Sequence, residues 1–225
     1  MSHKKRQILL LSIIVLCCGI MAVIDGVIKP YYWVKSAFKI ILFLAVPFFY
    51  SQVDKGLNIK ELFKGNKKGF KTAFALCIPV YVVILGAYFL FKDVFDFSSV
   101  TTTLTGDIGV SAKNFVYVAI YISVCNSLLE EFFFRGFAFL ILKQEMNRKF
   151  AYIFSSAMFA LYHVGMTSGW FNVLIYILAM FGLFVGGCIF DFLNEKCENI
   201  YPSWLVHMFA NFAINTIGFI LFGII

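Results

Sequence analysis

Charged residues are scarce in this chain. Asp, Glu, Lys and Arg together make up 14% of it, against about 25% in an ordinary soluble domain. Proline is rare, with four residues, and histidine rarer, with three. There is no Cys-x-x-Cys pair, and the zinc-protease pattern His-Glu-x-x-His is missing. The shortage of charge excludes a soluble globule, because 61% of the residues are hydrophobic and no single compact core absorbs that much apolar surface. The six cysteines do not make a disulfide framework. Cys17, Cys18, Cys77, Cys125 and Cys188 lie in apolar runs and read as small membrane hydrophobes, and Cys197 reads as a loop residue. A net charge of +7 does not signal nucleic acid, because the basic residues gather in short connectors where membrane topology accounts for them.

What the chain has in abundance is apolar runs of spanning length, about 20 residues each. Seven occur, over 8–28, 36–53, 70–91, 114–142, 150–165, 171–193 and 202–223. They predict an all-α, polytopic transmembrane helix bundle. The start, Met1 to Arg6 followed by Ile8 to Ile24, imitates a signal peptide, but no small-residue cleavage site follows, so a retained first helix is expected. Lys4, Lys5 and Arg6, then Lys55, Lys60, Lys64, Lys67 and Lys68, then Lys143, Arg148 and Lys149, then Lys196 mark alternate connectors. That alternation predicts a cytoplasmic N-terminus. The connector 92–113 is polar and acidic, with Asp93, Asp96 and Asp107. Pro47 and Pro79 predict helix kinks, and Pro202 suits the first turn of the last helix. Residues 1–225 read as one membrane domain, with no internal repeat.

Ionisable groups inside an apolar span cost about 2.5–3.5 kcal/mol each on insertion scales, so those retained are informative. They are Glu130, Glu131 and Arg135 in the fourth span, His163 in the fifth, Asp191 in the sixth, and His207 with Asn211 in the seventh. Asp25 and Lys39 are expected to snorkel from span ends. Glu131 and Arg135, four apart, share a helix face and are expected to pair, leaving Glu130 without a partner and poised as a proton acceptor. Counting roughly 1.5 Å per residue back from Lys143 places Glu130 about 20 Å from the basic end. Phe132, Phe133 and Phe134 are expected to shield it from lipid. His207 and Asn211 are also four apart and can offer hydrogen bonds to one developing oxyanion. Two histidines and a carboxylate fit either a metal triad or a general base with orienting partners; both activate water.

These residues resemble the CPBP family of intramembrane proteases, the CAAX-processing and bacteriocin-processing group also called Abi. The likeness rests on Glu130-Glu131 with Arg135, Phe159 with His163, and His207 with Asn211, in that order and on separate apolar segments. It covers roughly 114–215 as a catalytic core, with 1–113 supplying the first three helices and a polar connector. The resemblance implies that Glu130 is the general base and that His163 binds and polarises water. It implies that His207 and Asn211 hold the oxyanion and that Glu131 and Arg135 brace the site. For cofactors it implies either Zn2+ on Glu130, His163 and His207 or no metal, and the residues leave both open. The chain is compact and similar to bacterial members, whose substrates need not be prenylated.

The expected function is therefore an intramembrane endopeptidase acting on a membrane-associated peptide or protein. The expected partners are that substrate and the lipid bilayer, not nucleic acid, and the expected location is a bacterial plasma membrane. Two other functions fit the same buried charges: a non-catalytic bacteriocin-immunity or regulatory protein of the same fold, and a small transporter. Against the transporter stands the lack of the internal repeats common in that class.

Overall fold

The computed structural model describes residues 1–64, 69–94, 96–106, 109–167 and 173–225; Lys67, Lys68 and Asp107 lie outside the described residues. Among these residues there is no strand, and seven helices are long and apolar enough to cross a membrane. In chain order the helices are α1 (His3–Ile28), α2 (Tyr32–Val53), α3 (Phe70–Phe91), α4 (Ser98–Gly106), α5 (Phe115–Glu145), α6 (Arg148–Thr167), α7 (Val173–Cys197) and α8 (Tyr201–Leu221). All but α4, a short helix within the polar connector, are candidate spans. Several run past the apolar segments that announce them. Thus α1 begins at His3, α2 at Tyr32, α5 continues to Glu145 and α7 to Cys197, so Cys197 closes a helix instead of lying in a loop. Hydropathy marks the stretch that lipid surrounds, whereas backbone hydrogen bonding carries a helix onward to where polar side chains meet the interface.

The centre of the bundle is α5. Every residue from Glu130 to Leu142 is buried, as expected of a helix that is apolar on all sides. Phe133 stacks on Phe43 of α2 with ring centroids 4.2 Å apart, and Phe134 meets Phe159 of α6 edge-on at 5.3 Å. Phe132, Phe133 and Phe134 therefore fill the interior, and Glu130, on the same enclosed helix, is kept from lipid. Around it, α1 and α7 pack on α6, and α8 packs on α3 and α5. Exposed Leu174, Ile177, Leu178 and Phe181 form the outer surface of α7, the surface a bilayer would cover.

Among the described residues four stretches widen to π-helical turns: Ile24–Ile28, Ile41–Ala45, Ile122–Asn126 and Glu131–Ile141. Two of them bracket Ser127–Glu130, and a third begins two residues after Lys39. Such insertions shift side chains out of α-helical register and recur at functional sites. Pro47 lies two residues past the end of the widened turn in α2, which leaves its missing N–H where the ladder is already altered, while Pro79 sits inside an α3 that continues to Phe91. Pro202 occupies the first turn of α8.

One end of the bundle is tied by Arg6. Its guanidinium donates to Asp54 Oδ1 at 2.9 Å and to Glu145 Oε1 at 2.8 Å, and it holds the Asp54 carboxyl below the usual carboxylate range. The start of α1, the end of α2 and the end of α5 thus meet on one side, the arrangement that alternating basic connectors require.

Close helix approach at α1 and α6 depends on Gly165. A Cβ there would lie 2.8 Å from the backbone oxygen of Ala22, whereas one at Gly182 on the outside of α7 meets nothing within 4 Å. Gly165→Ala should therefore destabilise the detergent-solubilised protein by about 1–3 kcal/mol, and Gly182→Ala should be neutral or stabilising by up to about 1 kcal/mol. Thermal melts of the two variants check this.

Candidate active site

The acidic pair of α5 does not point one way. Glu130 is 3% exposed and Glu131 fully buried. Glu130 Oε1 accepts from Lys39 Nζ of α2 at 2.8 Å and from Asn126 Nδ2, one turn earlier on α5, at 3.0 Å. Lys39 Nζ also donates to Asn126 Oδ1 at 2.6 Å. Glu130 is not without a partner, and Lys39, 4% exposed, does not snorkel. Because α2 starts at Tyr32, Lys39 lies two turns inside the helix and in phase with buried Phe43. Asp25 does not reach outward either; its Oδ1 lies 2.8 Å from Lys35 Nζ. Near lipid depth, pairing is the lower-energy outcome for a charge whose helix packs inward.

The other oxygen of Glu130 faces two imidazoles. His163 Nε2 of α6 lies 4.0 Å from Glu130 Oε2, and His207 Nε2 of α8 lies 3.7 Å from it. Each ring is anchored through its opposite nitrogen. His163 Nδ1 sits 2.7 Å from the Phe159 carbonyl and His207 Nδ1 sits 2.8 Å from Glu131 Oε1. Carbonyl and carboxylate oxygens only accept, so both Nδ1 atoms carry the proton, and the Nε2 atoms face Glu130 as lone pairs when the rings are neutral. Aromatic walls fix the ring planes: Phe159 and Tyr162 meet His163 edge-on, and Phe190 stacks on His207 with centroids 5.5 Å apart. Three helices that are distant in sequence thus deliver one carboxylate and two imidazoles to one point.

Behind this point lies a second charged layer. Arg135 is fully buried, with Nε 3.5 Å from Glu131 Oε2 and 3.7 Å from Asp191 Oδ1. The pairing of Glu131 with Arg135 read from their spacing is present, but it is shared with Asp191, and Glu131 spends its other oxygen on His207. The guanidinium also lies over the Phe159 ring at 4.0 Å and the Phe190 ring at 5.0 Å, a cation–π sandwich that strengthens when desolvated. Ser155 and Ser156 of α6 donate to Asp191 at 3.3 and 3.2 Å. Asn211 sits one turn beyond His207, is buried, and donates through Nδ2 to the Ile122 carbonyl at 3.2 Å. Its second Nδ2 hydrogen is left for another acceptor.

Residue spacing within one helix did not reveal Lys39 or the role of Asp191, since both act across helices, and Asn126 was passed over although it shares a helix with Glu130. A usable signal existed for Lys39. Lys35, Lys39, Phe43 and Pro47 recur every fourth residue and are all buried, so a lysine lies on the same stripe as a core phenylalanine. Asn126 precedes Glu130 by four.

Zinc would take its ligands at about 2.0–2.2 Å in a tetrahedral shell. Glu130 Oε2 and the two Nε2 atoms have suitable chemistry, and the Glu131–His207 bond is the kind that orients a metal-ligating histidine. However, among the described residues no group of three His, Cys, Asp or Glu side chains is arranged to hold a metal ion. In addition, the ammonium of Lys39 already neutralises Glu130 from the other oxygen. As arranged, the set does not fit a zinc ion.

Residues 112–213 match the family model described as type II CAAX prenyl endopeptidase Rce1-like. No curated protein and no solved structure matches the chain. The matched stretch takes in α5, α6, α7 and the part of α8 bearing His207 and Asn211; α1 to α4, and with them Lys39, lie outside it.

Removing Arg135 would leave Glu131 and Asp191 buried together without a cation. Arg135→Met should cost about 3–5 kcal/mol and abolish accumulation of folded protein. Arg135→Lys should rescue it only in part, because an ammonium cannot reach two carboxylates while covering two rings. Folded yield by size-exclusion chromatography in detergent reads both.

Proposed function

We propose that this chain, whose residues 112–213 match the Rce1-like type II CAAX prenyl endopeptidase family, is a membrane protease that hydrolyses a peptide bond of a membrane-associated substrate with Glu130 as general base. The observation that carries the reading is the approach of His163 Nε2 and His207 Nε2 to one oxygen of Glu130, at 4.0 and 3.7 Å. A gap of that size is too wide for a direct hydrogen bond and is spanned by a water about 2.8 Å from each side.

In this mechanism Glu130 Oε2 and the His163 Nε2 lone pair each accept a hydrogen from the attacking water. The water oxygen bonds to the scissile carbonyl carbon as its proton passes to Glu130 Oε2. The carbonyl oxygen becomes an oxyanion, held by Asn211 Nδ2–H and by His207 Nε2–H. His207 can donate from Nε2 only as an imidazolium, and Glu131 at its Nδ1 is the counter-ion for that state. Collapse of the tetrahedral intermediate breaks the C–N bond as Glu130 returns the proton to the leaving nitrogen, giving a new carboxyl terminus and a free amine. Arg135 and Asp191 hold Glu131 in place. Donors held in place by the surrounding helices are where most electrostatic catalysis originates.

The substrate is a peptide or protein terminus that reaches the site from the lipid or the inner surface, prenylated or not. The N-terminus is cytoplasmic in this reading and the membrane is a bacterial plasma membrane. A zinc-dependent variant of the same chemistry would need Lys39 to give way and the three groups to rearrange around the ion. An immunity or regulatory role without catalysis would leave Glu130 dispensable.

The test is cleavage of a farnesylated CAAX-type peptide, and of the same peptide without the prenyl group but lipid-anchored, by protein reconstituted in liposomes. The wild type should cleave at least one of them. Glu130→Gln and His163→Ala should each lose about 10²–10⁴-fold in rate, and His207→Ala about 10²–10³-fold, with insertion unchanged. A wild-type protein inert on both peptides, or a Glu130→Gln variant cleaving at the wild-type rate, contradicts the reading. Metal content separates the two routes: the zinc-free route predicts full activity after chelation. About one zinc per chain, lost together with activity on chelation, would replace it with the metal route.

A further inference from the structure

We infer that Lys39 of α2, outside the matched segment, is a positioning residue for the hydrolytic site, fixing the carboxylate of Glu130 so that a single oxygen is presented to the water and the two histidines. The inference rests on the reading of Glu130 as base. A carboxylate has two equivalent oxygens and turns freely about its last bond unless something distinguishes them. Here both fixed donors choose the same one: Lys39 Nζ at 2.8 Å and Asn126 Nδ2 at 3.0 Å both reach Oε1. Oε2 is the oxygen left facing His163 and His207.

The placement of Lys39 is itself determined from several sides. Its ammonium donates to Asn126 Oδ1 at 2.6 Å and lies over the Tyr162 ring at 4.9 Å. One turn earlier Lys35 is occupied by Asp25, so the second lysine of the stripe is neutralised elsewhere and does not compete for Glu130. The widened turn Ile41–Ala45 begins directly beyond this point. A helix that the family segment does not include thus reaches into the site with a charge-assisted hydrogen bond, the strong class of such bonds. Lys39 acts through Glu130 and touches no reacting atom.

The experiment compares wild type, Lys39→Met, Lys39→Arg, Lys39→Gln and Glu130→Gln in liposomes on whichever of the two peptides, farnesylated or lipid-anchored without the prenyl group, the wild type cleaves, reading kcat and KM separately beside a thermal melt. Lys39→Met should lower kcat about 100-fold, the size expected for a misplaced catalytic group, with KM within about 3-fold. Lys39→Arg, which keeps a charged donor, should recover to within about 10-fold of wild type. If Lys39→Met does not accumulate folded, Lys39→Arg against Lys39→Gln decides: a kcat about 10-fold or more higher for Arg supports the inference, and equal kcat overturns it. Near-wild-type kcat in Lys39→Met with Glu130→Gln inactive overturns it while the base assignment stands. A change confined to KM also overturns it. Activity in Glu130→Gln fells the functional reading instead. Stability gives a readout independent of turnover: the melting-temperature loss from Lys39→Met should shrink when Glu130→Gln is also present, and simple additivity of the two losses contradicts the contact.

Discussion

A charge taken into a bilayer-spanning bundle must find an opposite charge or a set of hydrogen bonds there, and the interior of this protein is organised by that demand. Glu130 is met by Lys39, Asp25 by Lys35, and Arg135 by Glu131 and Asp191. None of these pairs except Glu131 with Arg135 lies within one helix. Each therefore fixes how two helices stand relative to one another, which apolar packing alone does loosely because lipid tails are as apolar as the side chains they would replace. The central helix α5 carries three of the seven groups and is enclosed on all sides, so it is the element to which the others register.

The same pairing separates support from chemistry. Glu131 holds the His207 ring through one oxygen and lies 3.5 Å from the Arg135 guanidinium with the other, an ion pair without a hydrogen bond. Glu130 has one oxygen engaged and one facing imidazole nitrogens across gaps too wide for direct bonding. Two adjacent glutamates thus differ in availability because their helix turns one toward α2 and the other toward α8. The π-helical widening that begins at Glu131 falls where that divergence starts.

The fold class was legible in the sequence because lipid imposes a length and a composition on every span, and both survive in a list of residues. All seven spans are present where apolar runs occur. The histidines and the glutamate stood out because they are rare at such depth. What did not show was anything that depends on one helix facing another. Lys39 read as an end residue because hydropathy placed the start of its helix too late, and Asp191 stood as an isolated acid because its partner is two helices away. Pairing across helices is a property of packing, and intrahelical spacing carries no record of it.

One carboxylate and two imidazoles from α5, α6 and α8 must meet for this site to work. The most direct measurement is an experimental structure of the full chain in a lipid nanodisc, at a resolution that places side chains. It should show both histidine Nε2 atoms within about 4 Å of one Glu130 oxygen, as a water-bridged arrangement requires, with Lys39 on the other oxygen. A Glu130 side chain turned toward lipid, or imidazoles separated from it by the ~10–12 Å width of a helix, would contradict the account.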